Sequence, residues 1–206
     1  MPDTVNQMVS ASAKNEILDK ALALFAEKGF DGASTREIAE SAGVNHALIK
    51  YHFGGKLALW KSAVDLLFMR LDEVMTTLER ENADIQDPKE RLRRVLRHYI
   101  RYCAEHPEHA RIMVQESTSE NDRLAWAVQK HIMTAKTLIE DLFEELIANG
   151  DVPKMSPISL RYIVASGCQS IFTLGAEVQL MYGVNSEHEA QIEAHIDAVT
   201  KLLLRD

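Results

Sequence analysis

The chain has 206 residues, of which 46% are hydrophobic and 26% are charged, so it holds enough apolar side chains for the buried core of a soluble protein. Its formal net charge of −8 excludes a protein that coats nucleic acid over its whole surface, although it allows a local basic face. No apolar run approaches the roughly 20 residues of a membrane helix, and the first residues lack the pattern of a secretory signal. We therefore expect a cytoplasmic protein without a membrane partner.

The two cysteines, Cys103 and Cys168, lie far apart inside helical patterns. This spacing matches neither a disulfide framework nor a zinc site, so we expect two reduced thiols that pack in the core. The sequence also shows no phosphate-binding glycine loop and no catalytic constellation. We accordingly expect no cofactor, no metal and no catalytic residues.

Apolar residues recur along almost the whole chain with the 3.6-residue period of helices, and no stretch shows the alternation typical of a strand. The pattern predicts three short, compact helices over about residues 13–28, 34–42 and 45–53. Six mostly longer helices follow, over about residues 56–81, 87–105, 108–116, 122–149, 159–182 and 187–204, with a loop at 150–157. The predicted fold class is therefore all-α.

Local signals mark the ends of the three short helices. Gly29 is a stop for the first helix, and a capping box of Ser34 and Glu37 begins the second. Gly43 breaks the second helix, and Asn45 is an N-cap for the third. Two short helices joined by a tight turn, after a helix that covers their inner faces, describe a helix-turn-helix over residues 34–53.

The two faces of this helix-turn-helix differ in chemistry. We expect its inner face to pack against Leu22 and Phe25, and this face comprises Ile38, Ala39, Ala42, Val44, Ile49 and Phe53. The outward positions of the third helix are Asn45, His46, Ala47, Lys50 and Tyr51. Small, polar, cationic and aromatic side chains of this kind suit base edges and phosphates in a major groove.

The charge pattern also favours a nucleic-acid contact in this region. Residues 41–64 contain no Asp or Glu. Lys56 follows two glycines at the start of a long helix, whose free N–H groups and dipole favour a phosphate. The start of the second helix has the same character. The predicted DNA-binding residues are Ser34, Thr35, Arg36, Asn45, His46, Ala47, Lys50, Tyr51, His52 and Lys56. Spacing alone leaves open a helical hairpin without a role on DNA.

The segment 17–60, ILDKALALFAEKGFDGASTREIAESAGVNHALIKYHFGGKLALW, resembles the DNA-binding domain of TetR-family transcriptional regulators. The similarity includes Leu-Phe-x-x-x-Gly-Phe, Ile-Ala-x-x-Ala-Gly-Val and Tyr-His-Phe-x-x-Lys. It implies a three-helix DNA-binding domain over residues 11–56 and a six-helix domain for effector binding and dimerisation over residues 57–206. It also implies a homodimer, a palindromic double-stranded operator, and repression that an unidentified small-molecule effector relieves.

Three positions depart from the pattern of the family. The family often has Gly or Pro where this chain has Ala47, and it usually has Thr where this chain has Ala33. Lys50 replaces a Tyr that commonly contacts a phosphate, so Lys50 is expected to bind a phosphate as a point charge or to reach a guanine.

The resemblance further implies a dimer interface made by the last two helices. We assign to it Ile163, Gly167, Ser170, Ile171, Leu174, Ile192, Ile196, Val199 and Leu203. Packing within one chain is the alternative for these residues. The family also places an effector among the middle helices, for which the candidates are Phe68, Tyr99, Tyr102, Cys103, Met113, Trp126, Cys168, Gln169 and Phe172. Their composition indicates a largely apolar effector with one or two hydrogen bonds, although each of them also fits a plain core.

Two other groups of residues are assigned no function. We interpret the basic cluster Lys89, Arg91, Arg93, Arg94, Arg97 and Arg101 as a solvated face paired with acidic neighbours. The His and Glu residues at 105–109 and 188–195 include metal-ligand types, but Pro107 and Ile192 interrupt the required spacing. The alternatives to a regulator are a helical metal-dependent or ligand-modifying enzyme and a structural adaptor.

Overall fold

The computed structural model describes the backbone of residues 2–204 and the side chains of residues 12–133 and 139–204. Its described part consists of eleven α-helices and one π-helical turn and has no strand, which confirms the all-α fold class. The helices are α1 (Pro2–Gly32), α2 (Thr35–Ser41), α3 (Ala47–Phe53), α4 (Lys56–Asn82), α5 (Pro88–Glu105), α6 (Pro107–Glu116), α7 (Asp122–Ala127), α8 (Met133–Asn149), α9 (Pro157–Thr173), α10 (Gly175–Tyr182) and α11 (Glu189–Leu203).

The structure divides two of the predicted helices and lengthens a third. The π-helical turn Val128–Ile132 separates α7 from α8. Leu174, with φ −98° and ψ 26°, leaves helical geometry just before a glycine, so the predicted helix 159–182 becomes α9 and α10. Helix α1 begins at Pro2 rather than near residue 13, because residues 3–28 contain no glycine or proline to stop it.

The predicted signals at Gly29, Ser34 and Gly43 are found in the structure, although α1 continues past Gly29 to Gly32. Gly29 has φ 71° and ψ 174°, which interrupts the helical backbone of α1. The Ser34 hydroxyl oxygen accepts the N–H of Glu37 at 3.1 Å, as an N-cap does. Gly43 has φ 64°, a conformation that favours glycine, in the turn between α2 and α3.

The chain folds as two compact units. Unit 1 consists of residues 2–69 together with Arg111–Leu124, and unit 2 consists of Arg70–Ala110 together with residues 125–204. Unit 1 therefore contains the predicted DNA-binding domain, the beginning of α4 and the segment Arg111–Leu124. The predicted boundary at residue 56 lies inside unit 1. No helix in the described part of the chain is both long enough and apolar enough to cross a membrane.

Unit 1 is built on the buried faces of its first three helices. Helix α1 buries Ile17, Leu18, Ala21, Leu22 and Phe25. Helix α2 buries Ile38 and Ala39, and α3 buries Ile49 and Phe53. The predicted inner face is thus confirmed at its most apolar positions, while Ala42 and Val44 are half-buried.

The segment Arg111–Leu124 is attached to unit 1 by polar contacts. The Gln115 amide donates to the carbonyl oxygen of Ala26 at 2.9 Å. The Arg123 Nε lies 3.0 Å from both carboxylate oxygens of Glu116, and its guanidinium lies 4.1 Å from the centre of the Phe30 ring. Glu116 is only 5% exposed, so its carboxylate is largely shielded from water, and the positive charge of Arg123 stabilises it there.

Unit 2 has one large apolar core made by α5, α8, α9 and α11. On the outside of α5, the basic cluster is paired with acidic residues, as predicted. Arg97 binds Glu193 at 2.7 Å, and Arg101 binds Glu189 at 2.6 Å and also Glu193. The other members contact Asp151, Glu145 and Glu90. The cluster therefore joins helices of its own unit.

Removal of Arg123 tests the energetic importance of the buried ion pair. Arg123→Ala leaves the Glu116 carboxylate buried without its cation, so we expect the free energy of unfolding in urea to fall by about 3 kcal/mol. The matched control is Arg93→Ala, which removes an arginine paired with Glu90 on the exposed surface and should cost less than about 1 kcal/mol. Equal losses in the two variants would contradict this role for Arg123.

Candidate nucleic-acid interface and effector domain

Helix α3 has one buried face and one exposed face. Ile49 and Phe53 are 2% and 8% exposed, whereas Tyr51 is 78% exposed. The predicted outward residues Asn45, His46, Ala47 and Lys50 are exposed as well. All five side chains that the sequence predicts to face outward are therefore exposed.

Two side-chain hydrogen bonds hold the beginning of α3. The Asn45 Oδ1 accepts the backbone N–H of Ala47 at 2.8 Å, so Asn45 caps the helix as predicted. The His46 Nε2 lies 2.9 Å from the Thr35 hydroxyl oxygen, which connects the turn to the first residue of α2. These bonds fix the direction of α3, and they also occupy polar atoms that could otherwise contact DNA.

Lys56 has contacts inside unit 1. Its ammonium donates to the carbonyl oxygen of Asp31 at 3.3 Å and lies 4.7 Å from the centre of the Phe30 ring. These contacts attach the first turn of α4 to the end of α1. An ammonium carries three N–H donors, so the Asp31 carbonyl leaves donors for a phosphate.

The remaining predicted contact residues surround this surface. Ser34 and Arg36 are exposed, and Thr35 and His52 are half-buried. The His52 ring lies 4.9 Å from the Tyr51 ring in an edge-on arrangement. The nearby Glu37 is paired with Lys28, and this hydrogen bond raises the pKa of Lys28. Pairing reduces the negative charge that the second helix presents.

The predicted effector residues do not form one group. The side chains of Tyr102, Cys103, Cys168 and Phe172 belong to the core of unit 2, and Tyr99 packs against that core. Trp126 and Gln169 are half-buried in unit 2. Phe68 and Met113 belong to unit 1 instead. The sequence suggested these candidates by their position in the middle helices and their composition, and neither property assigns a residue to one of the two units.

Both cysteines are unreactive packing residues, as the sequence indicates. Cys103 and Cys168 are free and buried, and burial raises the pKa of each thiol to about 12. Only the thiolate is a good nucleophile or metal ligand, so these sulfurs stay protonated near neutral pH. Within the part of the chain that is described, no group of three or more His, Cys, Asp or Glu side chains is arranged to hold a metal ion.

Unit 2 also contains a buried polar cluster that the sequence did not reveal. The Tyr102 hydroxyl lies 2.7 Å from the Nδ1 of His109, which is 9% exposed. Nearby, His106 Nδ1 lies 3.2 Å from a Glu108 carboxylate oxygen, and Arg70 lies 3.8 Å from the same oxygen. Tyr102 and His109 are on different helices on either side of His106, so helical spacing does not show their contact.

The environment of the cluster sets the protonation of its members. Burial lowers the pKa of His109 to about 4, so its imidazole is neutral at pH 7. The neighbouring His106 and His131 act in the same direction, and Glu108 opposes them. For Glu108, burial acts to raise the pKa, but the hydrogen bond with His106 and the charge of Arg70 contribute to a net lowering. The cluster therefore contains a neutral His109, bonded to the Tyr102 hydroxyl, and an ionised Glu108 carboxylate beside His106.

The positions predicted for the dimer interface fall into two groups. On α9, Ile163 and Leu174 are 49% and 50% exposed, and Gly167 and Ser170 between them are exposed too. In contrast, four predicted positions on α11 are 4–8% exposed and belong to the core of unit 2, with Ile171 of α9 packed against it: Ile192, Ile196, Val199 and Leu203. The burial of the four α11 residues agrees with the alternative of packing within one chain, because an apolar helical face does not show which chain covers it.

The chain matches two models of protein families. Residues 17–63 match the model of bacterial regulatory proteins of the tetR family, and residues 88–202 match the model of the Tetracyclin repressor-like C-terminal domain. The second match alone covers more than half of the chain. The chain therefore belongs to the TetR family of bacterial regulatory proteins, and the predicted class of transcriptional regulator, rather than enzyme, is confirmed.

Individual relatives agree with this class. The chain is 30% identical over 137 residues to the probable HTH-type transcriptional regulator YttP of Bacillus subtilis, a match that covers 66% of each chain. It is 36% identical over 62 residues to IcaR of Staphylococcus aureus, the negative regulator of the biofilm operon icaADBC, a match that covers 30% of this chain and 33% of IcaR.

The fold has solved relatives as well. The structure of AibR in complex with isovaleryl coenzyme A and operator DNA is similar with a TM-score of 0.67 and 20% identity, over 93% of this chain and 98% of AibR. At this identity, the similarity describes the fold.

The buried histidine predicts a pH dependence of stability. The unfolded chain binds a proton at His109 near pH 6.5, but the folded chain binds it only near pH 4. As the pH falls from 6.5 to 4, the unfolded state is therefore favoured, and we expect the free energy of unfolding to fall by about 3 kcal/mol from this group alone. Urea unfolding at several pH values measures this fall.

The variant His109→Gln isolates the contribution of this residue from that of the other histidines. Its amide can still bind the Tyr102 hydroxyl, but it does not titrate. We expect a smaller loss of stability in the variant than in the wild-type protein over the same pH range. Identical profiles in the two proteins would contradict the neutral, buried state of His109.

Proposed function

We propose that this protein is a homodimeric repressor that places α3 in the major groove of a palindromic operator and leaves the DNA when a small-molecule effector binds its second domain. The observation that carries this proposal is the exposed, acid-free face of α3. Its buried face makes the helix part of a rigid scaffold, and its outer face offers cationic, polar and aromatic groups. Repression, rather than activation, of transcription is supported by the relative IcaR, which is a negative transcriptional regulator.

In this proposal the contact residues divide into two groups. Asn45, Ala47 and Lys50 face the base edges, because they lie at the beginning and in the middle of the exposed face of α3. A second group binds the sugar–phosphate strands on either side and comprises Ser34, Thr35, Arg36, His46, Tyr51, His52 and Lys56. Phosphate contacts position the protein, and base contacts give the sequence preference.

We further propose a dimer formed around the exposed face of α9. Residues 163, 167, 170 and 174 recur at helical spacing, and their mixture of small and branched side chains allows close approach of a second helix. Leu180 and Leu202 are 87% and 80% exposed, so α10 and α11 offer more apolar surface for a partner chain. Two α3 helices about 34 Å apart then match successive major grooves of a palindrome.

The core of unit 2 is the proposed effector-binding region. Its apolar residues suit an apolar effector, and the Tyr102–His109 pair offers hydrogen-bonding groups at one position. The AibR structure, which contains isovaleryl coenzyme A, supports the capacity of this fold for an acyl compound.

Two helices are suited to communicate between the two functions. Helices α4 and α6 each contribute residues to both units, and the end of α6 binds α1 through Gln115. An effector that binds better to an arrangement unable to hold DNA would shift the population away from the operator-bound form. The proposal includes two domains, residues 11–56 for DNA binding and residues 57–206 for effector binding and dimerisation. It also includes a cytoplasmic location.

The DNA contact is tested by removing two cations from the proposed interface. An operator is first selected from random duplex DNA with the wild-type protein. For Lys50→Ala with Lys56→Ala, we expect at least a hundredfold loss of affinity at moderate salt, since each removes about 1.5 kcal/mol or more of interaction. Fluorescence anisotropy measures the affinity, and circular dichroism checks that the variant is folded.

The matched control removes two lysines outside the interface, Lys154→Ala with Lys201→Ala, and lowers the net charge by the same amount. This control should retain the wild-type affinity to within about threefold, because long-range charge effects are screened at moderate salt. An unchanged affinity in the Lys50 and Lys56 variant would show that α3 is not the DNA-binding element.

The dimer is tested by charge on α9. Ile163→Glu with Leu174→Glu places two carboxylates on the exposed face and should give a folded monomer in sedimentation equilibrium, because a buried unpaired charge at an interface is strongly unfavourable. Val114→Glu is the control, since Val114 is 48% exposed but lies in unit 1. A dimer that tolerates both changes on α9 would contradict this assignment.

A further inference from the structure

The exposed surface of α3 carries only a few kinds of side chain. Lys50 and Tyr51 lie three and four residues after Ala47, so each of their side chains is a neighbour of Ala47 on the helix surface. All three are exposed. A groove-bound α3 would therefore present a methyl group, an ammonium and a phenol next to each other.

Two polar side chains beside this surface already have hydrogen-bond partners within the protein. The Asn45 Oδ1 accepts the backbone N–H of Ala47 at 2.8 Å, which ties this amide to the turn before α3. The His46 Nε2 is paired with the Thr35 hydroxyl. Residues 41–64 contain no carboxylate. A cytosine is read by a carboxylate, which this surface lacks. An adenine is read by an amide that donates and accepts at once, and the amide of Asn45 is instead tied to the backbone of Ala47.

The ammonium of Lys50 is the strongest donor on this surface. Among the residues that the structure describes, none is recorded as an ion-pair or hydrogen-bond partner of its Nζ. Guanine offers two adjacent acceptors in the major groove, O6 and N7, whereas adenine places a donor beside its N7. A lysine in this position therefore prefers guanine. The Tyr51 hydroxyl discriminates less, because it both donates and accepts.

The methyl group of Ala47 adds a second preference. Small apolar side chains in the major groove contact the C5-methyl group of thymine. Because Ala47 lies one helical turn before Lys50, the two side chains reach neighbouring base pairs. The base contacts of other family members do not transfer to these two positions, because both residues differ from those usual in the family.

We infer that Lys50 and Ala47 determine the operator preference of this protein, with Lys50 on the O6 and N7 of a guanine and Ala47 on the methyl group of a nearby thymine in each half-site. This inference rests on the proposed function, because it presupposes that α3 enters the major groove. It adds the class of base that each residue recognises.

Base analogues test the two contacts separately. In the selected operator, each guanine is replaced in turn by 7-deazaguanine, which lacks the N7 acceptor, and each thymine by deoxyuridine, which lacks the methyl group. For the wild-type protein, we expect a loss of at least about fivefold at one guanine of each half-site. We expect a loss of about fourfold at one neighbouring thymine, from the transfer of one methyl group.

The variants assign each loss to its residue. Lys50→Ala should bind more weakly and lose the sensitivity to 7-deazaguanine while it keeps the sensitivity to deoxyuridine. Ala47→Gly should keep the sensitivity to 7-deazaguanine and lose the sensitivity to deoxyuridine. Lys50→Arg should remain sensitive to 7-deazaguanine, because arginine donates to the same two acceptors. Lys154→Ala is the control and should behave as the wild-type protein.

The outcomes separate this inference from the proposed function. Failure of the wild-type protein to select any duplex would contradict the proposed function itself. Selection of an operator without guanine in its half-sites would overturn the inference and leave DNA binding intact. The same conclusion would follow if Lys50→Ala kept the full sensitivity to 7-deazaguanine.

Discussion

The burial of Ile49 and Phe53 is the constraint on which the function of this molecule depends. A helix of seven residues has little stability of its own in water, so α3 exists because these side chains pack in unit 1. Once that face is buried, the direction of the opposite face follows. The positive φ of Gly43 and the cap from Asn45 fix the entry of the chain into the helix. Lys50 and Tyr51 are thereby held outward on a rigid support.

The distribution of charge explains how an acidic chain can present a cationic surface. Several glutamates of unit 2 are bound to arginine. Among them, the hydrogen bond from Arg97 lowers the pKa of Glu193 and keeps it ionised. In unit 1, Glu116 is buried against Arg123 and Glu37 is bound to Lys28. The face of α3 contributes no carboxylate, so the excess of acidic residues that gives the net charge of −8 lies on other parts of the protein.

Local patterns in the sequence predicted most of the helices and the caps of α2 and α3, because apolar period and capping act over a few residues. Contacts between distant residues could not be predicted in this way. The apolar stripe through Ile196 is the same whether its own chain or a partner covers it, and the structure assigns it to its own core. The pairing of Tyr102 with His109 depends on the angle between two helices, which no spacing encodes. The break at Leu174 likewise escaped the periodic pattern, which continues through it.

The account as a whole requires the exposed face of α3 to lie against DNA, and site-specific crosslinking measures this contact most directly. A photoreactive phenylalanine analogue replaces Tyr51, whose side chain is 78% exposed, and the same analogue replaces exposed Leu202 in a control protein. With operator bound, irradiation should yield a covalent adduct from position 51, mapped to a sugar–phosphate strand that borders a major groove of the operator, and none from position 202. Bound operator without an adduct at position 51, or with adducts from position 202 alone, would contradict the account.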